Sequence, residues 1–200
     1  MNNNIISTPV KFPLVQPRDW SKWNLVWNNN AKFARKLFQN HNSLQAYWKG
    51  FDIYVKPGFN AQAYSGYAFE NVNCPELFPS IFDNLNMLPI DVNVVRVLSS
   101  MAKVIPHRDS LTNDLSVRTM LSDNNPRQTF YYQFKDKKEY QLLPEDTNTW
   151  MYWDNNSKHG TDFYQGHSKI LIAYYGPKKE NYESYFDQSV SYYKNYVIYD

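Results

Sequence analysis

Residues 92–110 read VNVVRVLSSMAKVIPHRDS. Branched aliphatic residues crowd positions 92–98 and return at Val104 and Ile105, a composition that suits a pleated strand better than a helix. The stretch therefore predicts two consecutive strands, the second ending on a histidine and an aspartate two apart, His107 and Asp109. Downstream the pattern repeats. LSVRTMLS (115–122), QTFYYQF (128–134), EYQLLP (139–144), TNTWMYW (147–153) and SKILIAYYG (168–176) are short runs rich in branched and aromatic residues, separated by turn-forming ones. Seven strands in so short a span predict a compact sandwich or barrel, for which a jelly roll is one solution.

Upstream of residue 92 the period is that of helices. Phe33, Leu37 and Phe38, then Leu44, Tyr47 and Trp48, predict a helix or helix pair over 31–48. Leu77, Phe78, Ile81, Phe82, Leu85 and Leu88 recur at spacings of three and four, predicting a helix over 75–88 between Pro75 and Pro89. The Asn runs at 2–4 and 28–30 read as turns or a frayed end. The expectation is a single domain over 1–200, α+β but mainly β. A helical or mixed part covers about 1–90, a jelly-roll core about 91–177 and a C-terminal extension 178–200, with the N-terminal helices packed on one side.

The formal net charge is +2 with 20% charged residues, too small an imbalance to predict a nucleic-acid or anionic-membrane partner. A single cysteine, Cys74, allows no internal disulfide, and the N-terminus lacks the basic and apolar regions of an export signal, so a cytoplasmic location is expected. No apolar run approaches the length of a membrane-spanning helix. The chain carries 17 Tyr, 12 Phe and 6 Trp. Most of these rings are expected in the core; Tyr131, Tyr132, Trp150, Tyr152 and Trp153 are placed to wall a pocket. Alternation puts Trp150 and Tyr152 on one face of their strand and Met151 and Trp153 on the other.

His107 and Asp109 acquire chemical meaning only with a third ligand. His159, in the segment WDNNSKHG, follows about 50 residues later, and Lys169 lies ten residues beyond it. Two neutral imidazoles and one carboxylate suit iron(II), leaving open positions for a 2-oxo acid and dioxygen. The distal carboxylate of 2-oxoglutarate then requires a buried cation, and Lys169, which alternates with Leu171 and Ala173 on an apolar face, is placed to supply it. Each residue also has a plainer reading: a turn for the His-x-Asp run, a solvated loop for His159, a strand-end charge for Lys169. Ordered succession of all four favours the metal site. His167 reads as a turn residue, and His41 receives no role.

The segments IPHRDS, VRTML, WDNNSKHG and KILIAYY together resemble the 2-oxoglutarate and iron(II)-dependent dioxygenases. Within them they resemble the aspartyl/asparaginyl β-hydroxylase-like and proline hydroxylase-like group. The resemblance spans about Val92 to Tyr175. It implies a double-stranded β-helix (jelly roll, cupin-like), metal ligation by His107, Asp109 and His159, and iron(II) and 2-oxoglutarate as cofactors. The implied activity is hydroxylation of an unactivated C–H of an amino acid, free or in a peptide or protein. It also implies that Arg118 contacts the cosubstrate or a substrate carboxylate, although its strand pattern is equally compatible with a surface salt bridge. Lys169 stands where that group has arginine, exchanging a bidentate fork for a point charge. Two other readings stay open: a metal-free cupin-like binding or structural module, and a non-hydroxylating oxygenase of the same fold. Oligomeric state is not encoded in any of these features.

Overall fold

The computed structural model describes residues 5–11, 20–33, 35–36, 48–64, 67–72, 85–100, 104–107, 115–120, 129–134, 137–153, 159–161 and 169–199. Eight strands follow one another from residue 94 onward. They are β6 (Val94–Ser100), β7 (Val104–His107), β8 (Leu115–Met120), β9 (Thr129–Phe134), β10 (Lys137–Leu142), β11 (Thr149–Tyr152), β12 (His159–Thr161) and β13 (Lys169–Gly176). All seven expected strands form, and β12 is an addition: His159 opens a strand where a loop was expected. The pairing is nested. β6 joins β13, β7 joins β12, β8 joins β11 and β9 joins β10, all antiparallel, while β13 also pairs β8 and β12 also pairs β9. A hairpin of strand pairs folded over in this way makes two sheets, with local orders β11-β8-β13-β6 and β10-β9-β12-β7, the arrangement of a jelly roll.

The first half of the chain extends the larger of these sheets. β1 (Ile5–Pro9) pairs with β11, and β4 (Trp48–Val55) pairs with β6. With β2 (Lys32–Phe33) and β14 (Ile198–Tyr199) at its two edges, the main sheet has eight strands in the order β14-β1-β11-β8-β13-β6-β4-β2. A two-residue pair, β3 (Arg35–Lys36) with β5 (Tyr67–Ala68), stands apart. The helix expected over 31–48 is thus overturned at both ends, where 32–33, 35–36 and Trp48 are strand. The helix lies one segment earlier, at α1 (Trp20–Asn30), and the Asn run at 28–30 is its last turn, where Asn30 Nδ2 donates to the Val26 carbonyl at 2.9 Å. The helix expected over 75–88 falls mostly outside the described residues, which show a 3-10 turn at Leu85–Met87. A second helix, α2 (Tyr182–Tyr192), closes the C-terminal region. Among the described residues no helix is long and apolar enough to cross a membrane.

Both faces of the main sheet are buried, each in its own cluster. On one face Phe51, Ile53, Val95, Val97, Val117, Met151, Ile172 and Tyr174 pack with Val26 and Trp27 of α1 and Tyr182 of α2. On the other, Leu98, Trp150, Tyr152, Leu171 and Ala173 pack with Leu143, the residue after β10. Leu143 belongs to the second sheet's end, so this second cluster marks the face turned toward that sheet, the interior of the jelly roll. The double burial explains the near-continuous apolar runs in β6 and β13, where single-sided strands would alternate. It also confirms the split of Trp150 and Tyr152 from Met151 and Trp153.

One ion pair is sealed within the interior face. Arg96 of β6 stands opposite Asp52 of β4, with Nε donating to Oδ1 at 2.6 Å and an Nη to Oδ2 at 3.1 Å. Both side chains are 2% exposed. The Phe69 ring lies 3.9 Å from the guanidinium carbon, and the Asp52 backbone accepts from Val72 and donates to Glu70. The pair therefore ties segment 69–72 to the sheet. Removing the carboxylate leaves a buried guanidinium uncompensated, so Asp52→Ala should cost about 3–5 kcal/mol in urea denaturation. The double change Asp52→Leu with Arg96→Met should recover most of that loss, because an apolar pair of similar volume has no charge to desolvate.

Candidate functional site

The two histidines singled out in the sequence come together. His107, the last residue of β7, is the direct register partner of His159, the first residue of β12. Residues directly opposed in an antiparallel pair share a face of the sheet. Tyr131 of β9 stands opposite Gly160, beside His159. Asp109 lies outside the described residues. Among the described residues no group of three or more histidine, cysteine, aspartate or glutamate side chains could hold a metal ion. Register places the backbones of His107 and His159 opposite one another, and Asp109, the third expected ligand, lies outside the described residues.

The main sheet supplies the facing wall. A row across its interior face runs Asp52, Arg96, Ala173, Arg118 and Trp150, each the register partner of the next. Arg118 is therefore interior and buried, which answers the question its strand pattern left open. Its guanidinium carbon lies 4.7 Å from the Tyr152 ring centre, a cation–π contact. One row along, Ser116 stands between Tyr152 and Tyr175. Its hydroxyl is fully buried and has no hydrogen-bond partner among the described residues, a costly state unless a ligand or water completes it.

Chain connectivity orients these rows. β7 carries the chain from the Ser100 end of β6 to His107, and the chain next enters the main sheet at Leu115, the start of β8. Ser116 lies near that end of β8, whereas Arg118, the fourth of its six residues, lies at the middle of the strand. Lys169 opens β13 opposite Ser100, at the far end of the sheet. Two same-face steps, about 13–14 Å, separate Lys169 from Ala173, the partner of Arg118. Along the main sheet Arg118 and Ser116 therefore lie nearer the Leu115 end than Lys169 does.

The C-terminal extension does not line the interior. Tyr182 packs into the cluster on the helix face, with Tyr185 and Phe186 against it. Trp153, which follows β11, meets Tyr182 and Phe186 edge-on at ring-centre distances of 5.5 and 5.0 Å. Tyr174, on the same face, is fully buried, and its burial pushes the phenol well above its ordinary range, keeping it neutral.

No known family profile matches the sequence, and no curated protein matches it either. Solved structures do. A prolyl hydroxylase from Trichoplax adhaerens, in complex with a hypoxia inducible factor oxygen degradation domain peptide fragment, superposes with a TM-score of 0.55 at 12% identity, over 92% of this chain and 87% of that one. A Pseudomonas putida prolyl-4-hydroxylase gives 0.47 at 9% identity, over 89% and 95%. A 2OG-Fe(II) oxygenase family oxidoreductase from Burkholderia pseudomallei gives 0.46 at 11%, over 82% and 83%. At such identities the likeness concerns fold alone: the chain is a mixed α+β protein whose fold resembles that of the Trichoplax adhaerens prolyl hydroxylase.

Proposed function

We propose that this protein is an iron(II)- and 2-oxoglutarate-dependent oxygenase that hydroxylates an amino acid, free or within a peptide or protein. The observation that carries the reading is the register pairing of His107 with His159 at one end of the second sheet. His107, His159 and Asp109 would hold the metal, and Arg118 or Lys169 would hold the carboxylate of the 2-oxo acid. Of the two cations Arg118 is the better supported, because it is buried on the interior face and its planar fork can bind a carboxylate bidentately. When bound, iron and the 2-oxo acid supply the oxidising chemistry, in which dioxygen converts C–H to C–OH while the acid loses carbon dioxide to become succinate.

The chain's own contribution is placement and dryness. Trp150 and Tyr152, both buried on the interior face, exclude water around the Arg118 fork, strengthening its hold on an anion. Ser116 offers a hydroxyl one row nearer the Leu115 end. No side chain is needed as general acid or base.

A second reading has its own support. Because no three-ligand cluster occurs among the described residues, their side chains by themselves favour a metal-free jelly-roll module that binds an anionic or aromatic ligand against the same wall. A titration separates the two. Anaerobic addition of iron(II) and 2-oxoglutarate to the wild-type protein should raise the weak visible charge-transfer band of the chelate. The band should vanish in His107→Ala, His159→Ala and Asp109→Ala, and Arg118→Met should raise the 2-oxoglutarate requirement about tenfold or more. Absence of any band in wild type would establish the metal-free module instead.

The register itself is checkable without metal. In a Cys74→Ser background, His107→Cys with His159→Cys should close to a disulfide under mild oxidation, since opposed Cα atoms about 4.5–5.5 Å apart meet the geometric requirement. His107→Cys with Thr161→Cys should stay reduced. Non-reducing mass spectrometry reads the loss of two hydrogens.

A further inference from the structure

We propose that the N-terminal strand β1 is a movable side wall of the interior face, and that α2 holds it shut through Asp146. The inference rests on the reading of that face as a binding wall and adds a control on access to it. Ser116, Ala173, Trp150 and Tyr152 are at most 1% exposed, and Arg118 is 9% exposed. A wall so completely covered admits no ligand to Arg118 until some element swings aside. β6, β13, β8 and β11 are each fixed inside the main sheet by a strand of four residues or more along both edges. β1 is held less evenly. Three register pairs, at Ser7, Thr8 and Pro9, join it to β11, whereas its outer partner β14 has two residues and shifts in register. Displacing β1 opens the interior from the side, because Ile6 packs in the cluster of Trp150 and Tyr152, and Ser7 and Pro9 stand opposite Tyr152 and Trp150.

Asp146, in the turn between β10 and β11, joins the two ends of the chain. Its Oδ2 accepts from the Tyr192 and Tyr193 hydroxyls, both at 3.4 Å, and lies 3.6 Å from Lys11 Nζ. Lys11 follows β1 by two residues. Its ammonium also donates to the Tyr192 hydroxyl and sits 4.1 Å from the centre of that ring, and its carbonyl accepts from the Tyr185 hydroxyl of α2 at 3.1 Å. One carboxylate thus ties the end of β1 to the last turn of α2. The Lys11 and Asp146 side chains are 57% and 41% exposed, and ion pairs so open to water are weak. Such contacts suit a latch, which must release while the central strands stay paired, as segments at the low-stability end of a fold do.

Two buried serines supply reporters. Ser116 lies on the interior face, and Ser99 of β6, opposite Ile170, lies on the helix face. Both are fully buried, and neither hydroxyl has a hydrogen-bond partner among the described residues, so a thiol in its place is close to isosteric. In the full chain with Cys74→Ser, Ser116→Cys or Ser99→Cys is labelled with an aromatic disulfide reagent under native conditions, and the rate is followed by mass spectrometry. Adding Asp146→Ala should speed labelling of Ser116→Cys about tenfold and leave that of Ser99→Cys unchanged. Should Asp146→Ala fail to fold, Tyr185→Phe, which removes the hydroxyl donated to the Lys11 carbonyl, decides in its place. Acceleration of both thiols in step means general loosening and overturns the proposal, as does a Ser116→Cys rate that the latch variant leaves unmoved. No metal enters these measurements, so a missing chelate band overturns the iron(II) reading alone, whereas the thiol rates decide the latch.

Discussion

The pairing of β6 with β13 is the constraint on which the rest of the molecule depends. These two strands, the first and last of the jelly roll, lie far apart in the chain yet run in continuous register from Lys169 opposite Ser100 to Tyr175 opposite Val94. Once they join, the intervening strands can pair only in nested fashion, β7 with β12, β8 with β11 and β9 with β10. The juxtaposition of His107 with His159 follows from that nesting. It is a property of a folded-over hairpin, in which residues some fifty positions apart become neighbours. The entropic cost of closing such loops is recovered by burying both faces of the central strands.

That double burial divides the labour of the main sheet. The helix face is almost purely apolar and closed by α1 and α2. The interior face carries the charge: Arg96 neutralised by Asp52, and Arg118 in cation–π contact with Tyr152. Burying a guanidinium is costly unless its donors are engaged, a condition that Arg96 meets through Asp52. Gly50 belongs to the same economy of space. A Cβ there would run into the Val97 carbonyl oxygen, so only glycine lets β4 approach β6 closely enough to bring Asp52 opposite Arg96.

Legibility in the sequence tracked how completely each strand is buried. β6, β11 and β13 announce themselves because branched and aromatic residues occupy both faces, and β8 because Leu115, Val117 and Thr119 line one of them. β4, WKGFDIYV, was misjudged at its start because Lys49, Gly50 and Asp52 interrupt the apolar pattern, each for a tertiary reason. α1 was missed since WSKWNLVWNNN ends in Asn residues that read as a turn, although Trp20, Trp23 and Trp27 fall at helical spacing. β12 could not be seen at all: HGT has no strand character, and its conformation comes from the neighbours β7 and β9 that it lies between.

The sequence by itself determined the run of strands from residue 94 onward, the alternation that separates Trp150 and Tyr152 from Met151 and Trp153, and the set of residues whose chemistry suits a metal and a carboxylate. These are local quantities, set by side-chain type and a period of two. The tertiary structure alone decided that His159 pairs with His107 on the adjacent strand, that Arg118 is interior, that Lys169 pairs with Ser100 at one end of the main sheet, and that the C-terminal helix packs on Trp153. Each of these depends on which strands pair and in what register, and register is fixed by contacts between distant segments that no local pattern records.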